Sequence, residues 1–217
     1  MEMALGDESG MELSASTAAL LMEFMNEKHQ NLAKNNFNDG FDMGNFDEDW
    51  QLSQFWYTSE TAKILATEAH CDGTVGFISS PSAYVAYKQL YGGENGGDSY
   101  LFEFDLRFGR FKDFEYYDYN NPDTIRQDLK GKFNCLVIDP PFLSEECFGK
   151  TMQTVKLLGR KDCKYIICTG QVMEGLAKTL ANANLVKFQP RHEKGLSNDF
   201  SCFINYDSND EFFKPSK

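Results

Sequence analysis

One stretch constrains this chain more than any other: Phe133-Asn134-Cys135-Leu136-Val137-Ile138, followed at once by Asp139-Pro140-Pro141-Phe142. A short apolar run bounded by turn residues predicts a buried strand. Two prolines fix φ and carry no N–H, so the strand must stop in a stiff turn that presents carbonyl oxygens. Beyond the turn, Ser144 is a good N-cap, and Glu145 and Glu146 suit the positive end of a helix. Phe148, Met152, Val155 and Leu158 share one face, and Gly159 is a natural stop, so a helix is predicted from Glu145 to about Leu158. A buried strand, a tight turn and a capped helix make one crossover of an α/β sheet. The turn then sits at the carboxyl edge, where such sheets bind ligands.

The rest of the chain repeats that pattern. A strand over Thr74–Ile78 leads through Ser79-Ser80-Pro81-Ser82 into a helix from Ala83 to about Tyr91. Further strands are predicted at Tyr100–Phe104, ending at Asp105, then at 114–117 and at Lys164–Thr169. Helices are predicted from Asp123 to about Leu129 and from Gln171 to Ala183. The last two strands, 185–188 and 200–206, have no helix between them and are expected to pair antiparallel. The reading is a doubly wound α/β domain with a terminal hairpin. Upstream, residues 1–12 are acidic, and Leu13 to about Leu32 has helical periodicity. Asn35 to Asp49 reads as an acidic linker. The division expected is an arm with one helix over residues 1–49 and a catalytic domain over 50–217.

Candidate site residues come from strand ends. In Asp139-Pro140-Pro141-Phe142, a carboxylate and carbonyl oxygens accept N–H bonds, and a flat ring supports positive charge growing on nitrogen. That is a site for an amino group, although Asp-Pro and Pro-Pro also serve as plain turn pairs. Ser80 and Pro81 stand where a dinucleotide fold usually has its glycine loop. Asp105, at the second strand end, is placed to accept two ribose hydroxyls, with Glu103 as its competitor and pairing to Arg107 or Arg110 as the structural alternative. Asp118 and Tyr119, at the third strand end, can bind an amino group and stack on a ring. Phe55, Trp56 and Tyr57 lie in an aromatic cluster that either plugs the core or folds over a cofactor mouth. Pro190 to Lys194 is a polar loop that could rim a site, and His192 within it reads as a solvated loop residue rather than a catalyst.

Charge limits the partners. Residues 1–50 carry 11 acids and 2 bases, and the remainder carries 22 acids and 19 bases. No basic surface of the kind that dominates nucleic-acid affinity is expected, which weighs against DNA or RNA. Six cysteines make no Cys-x-x-Cys pair, and three lie in apolar runs. They read as reduced thiols in a cytoplasmic protein without a metal site, and no run has the length of a membrane span.

The turn resembles that of the amino-methyltransferases with the pattern (Asp/Asn/Ser)-Pro-Pro-(Tyr/Phe/Trp). A closer resemblance is carried by Trp50-Gln51-Leu52-Ser53-Gln54-Phe55-Trp56-Tyr57, Tyr117 to Pro122, Asp139 to Cys147, Cys168-Thr169-Gly170 and Asn205-Tyr206-Asp207. In this order they are similar to the elongation factor 1A lysine methyltransferase family, over roughly residues 13–207. The fourth position, often tyrosine there, is Phe142 here, which keeps the stacking face. The resemblance implies a seven-stranded, Rossmann-like, S-adenosylmethionine-dependent fold and a cytoplasmic, monomeric enzyme that methylates a lysine of elongation factor 1A. It implies that Asp139, Pro140, Pro141 and Phe142 are catalytic. Phe55, Trp56, Tyr57, Ser80, Pro81, Asp105, Asp118 and Tyr119 would then hold the cofactor. Two rival readings are an N6-adenine methyltransferase and a non-catalytic adaptor of the same fold.

Overall fold

The computed structural model describes residues 41–92, 98–195 and 199–216. The helix expected over 13–32 lies outside them. Among the described residues, seven strands form one sheet: β1 Val75–Ile78, β2 Ser99–Glu103, β3 Phe114–Tyr116, β4 Phe133–Ile138, β5 Gly159–Gly170, β6 Asn184–Leu185 and β7 Phe200–Ile204. Their order is β3-β2-β1-β4-β5-β7-β6. The first five are parallel, and β7 runs antiparallel between β5 and β6, as the missing terminal helix predicts. The order reverses between β1 and β4, so the switch point falls beside the Asp139 turn.

Both faces of the sheet are buried, and alternate residues divide between them. Phe77, Val137, Ile166 and Cys202 face a core that includes helices α1 Ser59–Ala69 and α2 Pro81–Tyr91. Ile78, Leu136, Ile138 and Phe203 face the other core, with α3 Glu145–Leu158 and α4 Glu174–Ala181. The strands therefore read as continuous apolar runs. Gly76 in β1 has no room for a side chain: a Cβ would lie 2.5 Å from Leu136 and 2.9 Å from Phe133.

Helix α3 begins and ends where its sequence signals fall. The Ser144 side chain accepts from the Cys147 N–H at 3.2 Å, and Phe148, Met152, Val155 and Leu158 are buried. The helix expected over 123–129 is instead two 3₁₀ turns, Pro122–Thr124 and Gln127–Leu129. Ile125 and Arg126 between them are extended, and Arg126 is drawn away to Glu115 at 2.7 Å and Asp128 at 2.6 Å. All six cysteines are free thiols. Among the described residues no helix is long and apolar enough to cross a membrane.

Residues 41–49, expected to be linker, lie against this body. Phe46 stacks on Phe108 with ring centroids 4.2 Å apart, and Phe41 stacks on Phe111 at 5.1 Å. The Trp56 indole N–H donates to the Phe46 carbonyl at 2.8 Å. Two spaced rings anchor a stretch whose other letters are polar. Phe46→Ala is expected to lower unfolding free energy by about 3–4 kcal/mol, the usual cost of emptying a buried phenyl site. Denaturant unfolding followed by tryptophan fluorescence checks it.

Candidate active site

A cavity of about 430 Å³ opens at the carboxyl ends of β1, β2 and β4. Its walls bring together Phe55, Trp56, Tyr57, Ser80, Pro81, Asp118, Tyr119, Asp139, Pro140, Pro141 and Phe142, eleven of the twelve site residues expected from sequence. Asp139 ends β4, its N–H donating to the Ile78 carbonyl of β1 at 3.0 Å. Burial pushes the Asp139 carboxyl up to about 8; the Tyr57 hydroxyl opposes the rise and the nearby Glu103 carboxylate adds to it. Phe142 stays partly exposed, its ring 6.0 Å from that of Tyr119 in an edge-on arrangement.

Asp105 is the residue the structure does not bring to the cavity. Strand β2 ends at Glu103, and the chain turns at once into a 3₁₀ helix, Leu106–Arg110, which Asp105 caps by accepting from the Arg107 N–H at 2.9 Å. Its other oxygen holds the Arg107 guanidinium at 2.6 Å and the Gln54 amide at 2.8 Å. Arg107 also donates to the carbonyl of Asp47. Asp105 thus stands behind the wall and ties residues 47–54 to the body. Glu103 lines the cavity instead, its Oε1 accepting from the N–H groups of Phe104 and Asp105 at 2.9 and 3.1 Å. Burial raises the Glu103 carboxyl to about 7.

The turn after β1 does without glycine. Ser79 takes the left-handed conformation at φ 51°, and Pro81 opens α2, where no N–H is needed. Ser80 Oγ is buried without a hydrogen-bond partner among the described residues. Asp118 spends its carboxylate on its own turn, accepting from the Asn120 N–H and the Asn121 amide at 2.9 and 2.7 Å. Tyr119 beside it lines the cavity with Lys150 Nζ over its ring, 5.9 Å from the centroid.

His192, expected in solvent, lines the cavity. Its ring lies 4.8 Å from that of Tyr57 and edge-on to Phe200 at 4.8 Å. Burial lowers its pKa to about 4, so the imidazole is neutral at working pH. Phe200 and Thr169 also line the cavity. Thr169 belongs to the Cys168-Thr169-Gly170 motif, whereas Phe200 carries no local signal and is brought there by strand pairing.

These residues fit an adenosine-bearing sulfonium cofactor. A buried carboxylate stands at the second strand end, an unpartnered hydroxyl at the first, and an aromatic turn at the third.

Comparison with known proteins agrees. A family model described as "Probable N6-adenine methyltransferase" matches residues 48–208. The chain is 40% identical over 210 residues to a Homo sapiens protein named EEF1A lysine methyltransferase 1, covering 94% of this chain and 96% of that one. It is 37% identical over 231 residues to the Saccharomyces cerevisiae protein-lysine N-methyltransferase EFM5, covering 90% and 92%. Among solved structures, a branched-chain polyamine synthase mutein from Thermus thermophilus is similar with a TM-score of 0.52 at 13% identity. That match covers 83% of this chain and 62% of that one and shows the fold alone. With its Asp-Pro-Pro-Phe turn at the switch point of a seven-stranded sheet, the chain belongs to the family of that model, together with relatives named EEF1A lysine methyltransferases.

Proposed function

We propose that the chain is an S-adenosylmethionine-dependent protein-lysine N-methyltransferase and that its substrate is elongation factor 1A. One observation carries the reading: the Asp139 turn shares one cavity with Glu103, Ser80 and Tyr119, so an amine and a nucleoside can meet there. The names of the relatives supply the substrate. The six free thiols suit a reducing compartment, and we place the enzyme in the cytoplasm.

When bound, the cofactor supplies an electrophilic methyl group on a sulfonium. Glu103 would accept the ribose hydroxyls, and Tyr119 would pack on the adenine. Asp139 and the Pro140 carbonyl take the N–H bonds of the incoming amine, and Phe142 packs on the lysine stem. A lysine ammonium must lose a proton before its nitrogen can attack, at a cost of about 4–5 kcal/mol near neutral pH. A dry site beside a sulfonium lowers that cost, and Asp139 holds the ammonium while the proton leaves to solvent. By holding the amine nitrogen close to the place of the methyl group, the Asp139 turn would supply much of the rate through alignment alone.

The family model's description favours a second acceptor, adenine N6. Against it stands residue 51 onward, with 22 acids and 19 bases. Labelled S-adenosylmethionine, offered in parallel with purified elongation factor 1A and an adenine-containing DNA, decides between them. Label on the protein, lost in Asp139→Ala, is the expected result. Label on DNA overturns the lysine reading. Cofactor bound with label on neither means another substrate, and no cofactor bound means an adaptor.

A further inference from the structure

The cavity holds a buried hydroxyl that the mechanism above leaves without work. Tyr57 is 3% exposed, and its Oη makes no hydrogen bond among the described residues. A buried polar atom left unpartnered in a native fold calls for a reason. The residue is held firmly from several sides. Its N–H donates to Ser82 Oγ at 3.3 Å, its backbone bridges to His192, and its ring lies 4.8 Å from the His192 ring. The next residue's N–H donates to the Arg191 carbonyl at 2.9 Å. Tyr57 and Asp139 line the same cavity, and the Tyr57 hydroxyl is close enough to the Asp139 carboxylate and the Cys168 thiol to feel both, without closing a hydrogen bond of good geometry to either.

We propose, building on the lysine-methyltransferase reading, that Tyr57 is the positioning residue for Asp139: its hydroxyl donates to the carboxylate, aiming it at the substrate amine and favouring the ionised form that pairs with a cationic amine. The neighbouring groups on the cavity wall are poorer donors to it. Glu103, at the end of β2, repels its charge. Cys168 of β5 is a buried thiol and a weak donor. His192 keeps one N–H as a neutral imidazole, but its ring is packed against those of Tyr57 and Phe200, and Asp118, also on the cavity wall, is an acid committed to its own turn. Tyr57 itself stays protonated, because burial and then Asp139 hold its phenol far above the usual range, so its proton is always available to give. A tyrosine serving as cofactor wall needs its ring; one serving Asp139 needs its hydroxyl.

Tyr57→Phe separates the two roles, since it keeps the ring and its contacts. S-Adenosylmethionine affinity by calorimetry is expected to stay within about twofold. Turnover on elongation factor 1A at pH 7 is expected to fall roughly 10- to 100-fold, the worth of one hydrogen bond to a charged group. The acid limb of the pH–rate profile should move to higher pH, because the carboxylate loses a donor that favours its charged form. Weakened cofactor binding with an unmoved limb would make Tyr57 a cofactor residue and overturn the proposal, as would unchanged turnover. Melting temperature needs no substrate. The deficit of Tyr57→Phe against wild type should grow from pH 5 to pH 9 as Asp139 ionises, and a constant deficit also overturns it. A wild-type enzyme that leaves elongation factor 1A unlabelled while the growing deficit is present refutes the substrate and leaves the Tyr57–Asp139 pairing standing.

Discussion

Asp139→Asn is expected to lower methyl transfer to elongation factor 1A about 100-fold or more while making the protein harder to melt at alkaline pH. The amide keeps the shape of the turn and one carbonyl oxygen. It loses the charge that holds an ammonium and steadies the positive nitrogen in the transition state, a contribution of the size usual for a preorganised electrostatic group. The stability change has the opposite sign. Burial and Glu103 raise the Asp139 carboxyl from its ordinary 3.8 to about 8. Between those values the folded protein holds a proton that the unfolded chain releases, so stability falls as pH rises across the window. Asparagine removes that dependence. The variant should match wild type near pH 4 and melt higher at pH 8 to 9, measured by calorimetry against turnover on the same preparations. Lost activity with gained stability marks a residue kept for chemistry at the expense of the fold.

Glu103→Gln should weaken S-adenosylmethionine binding about 100-fold at pH 8, because a neutral amide replaces a carboxylate that takes two hydroxyl donors. Its pH dependence is the sharper observation. Burial raises the Glu103 carboxyl to about 7, and binding favours the ionised form. Wild-type affinity should therefore fall about tenfold per pH unit below 7 and level off above it. Glu103→Gln should be nearly flat over the same range. Calorimetric titration from pH 6 to pH 8.5 checks both. If Asp105→Asn produced the pH effect instead, the ribose would lie on the other side of the wall.

Features written into adjacent residues were legible. Helix α3 could be read to its last residue because its cap, its acidic first turn and its apolar face are all local. The same holds for β4 and the Asp139 turn. Reading failed where a distant partner decided the outcome. Glu103 and Asp105 are both acids near one strand end, and which one faces the cavity depends on where the 3₁₀ helix Leu106–Arg110 begins and on Arg107 and Gln54 claiming Asp105. Residues 41–49 look like linker by composition, yet Phe108 and Phe111 wait for their two rings. His192 belongs to the site because the backbone around Tyr57 pairs with that loop, and no local pattern announces such a pairing.

That pairing sets an order of assembly. Thr58 and Trp56 hydrogen-bond to residues 191 and 193, and Arg191 reaches Thr61 across 130 positions of chain. Lys194 ties to Glu48 at 2.8 Å, and Phe200 of β7 closes the wall behind. On the ribosome the parallel strands β1 to β5 can all be made while the cavity still lacks a side. A nascent chain therefore has no complete cavity until β7 has emerged, and a ligand that needs every wall finds its site only at the end of folding.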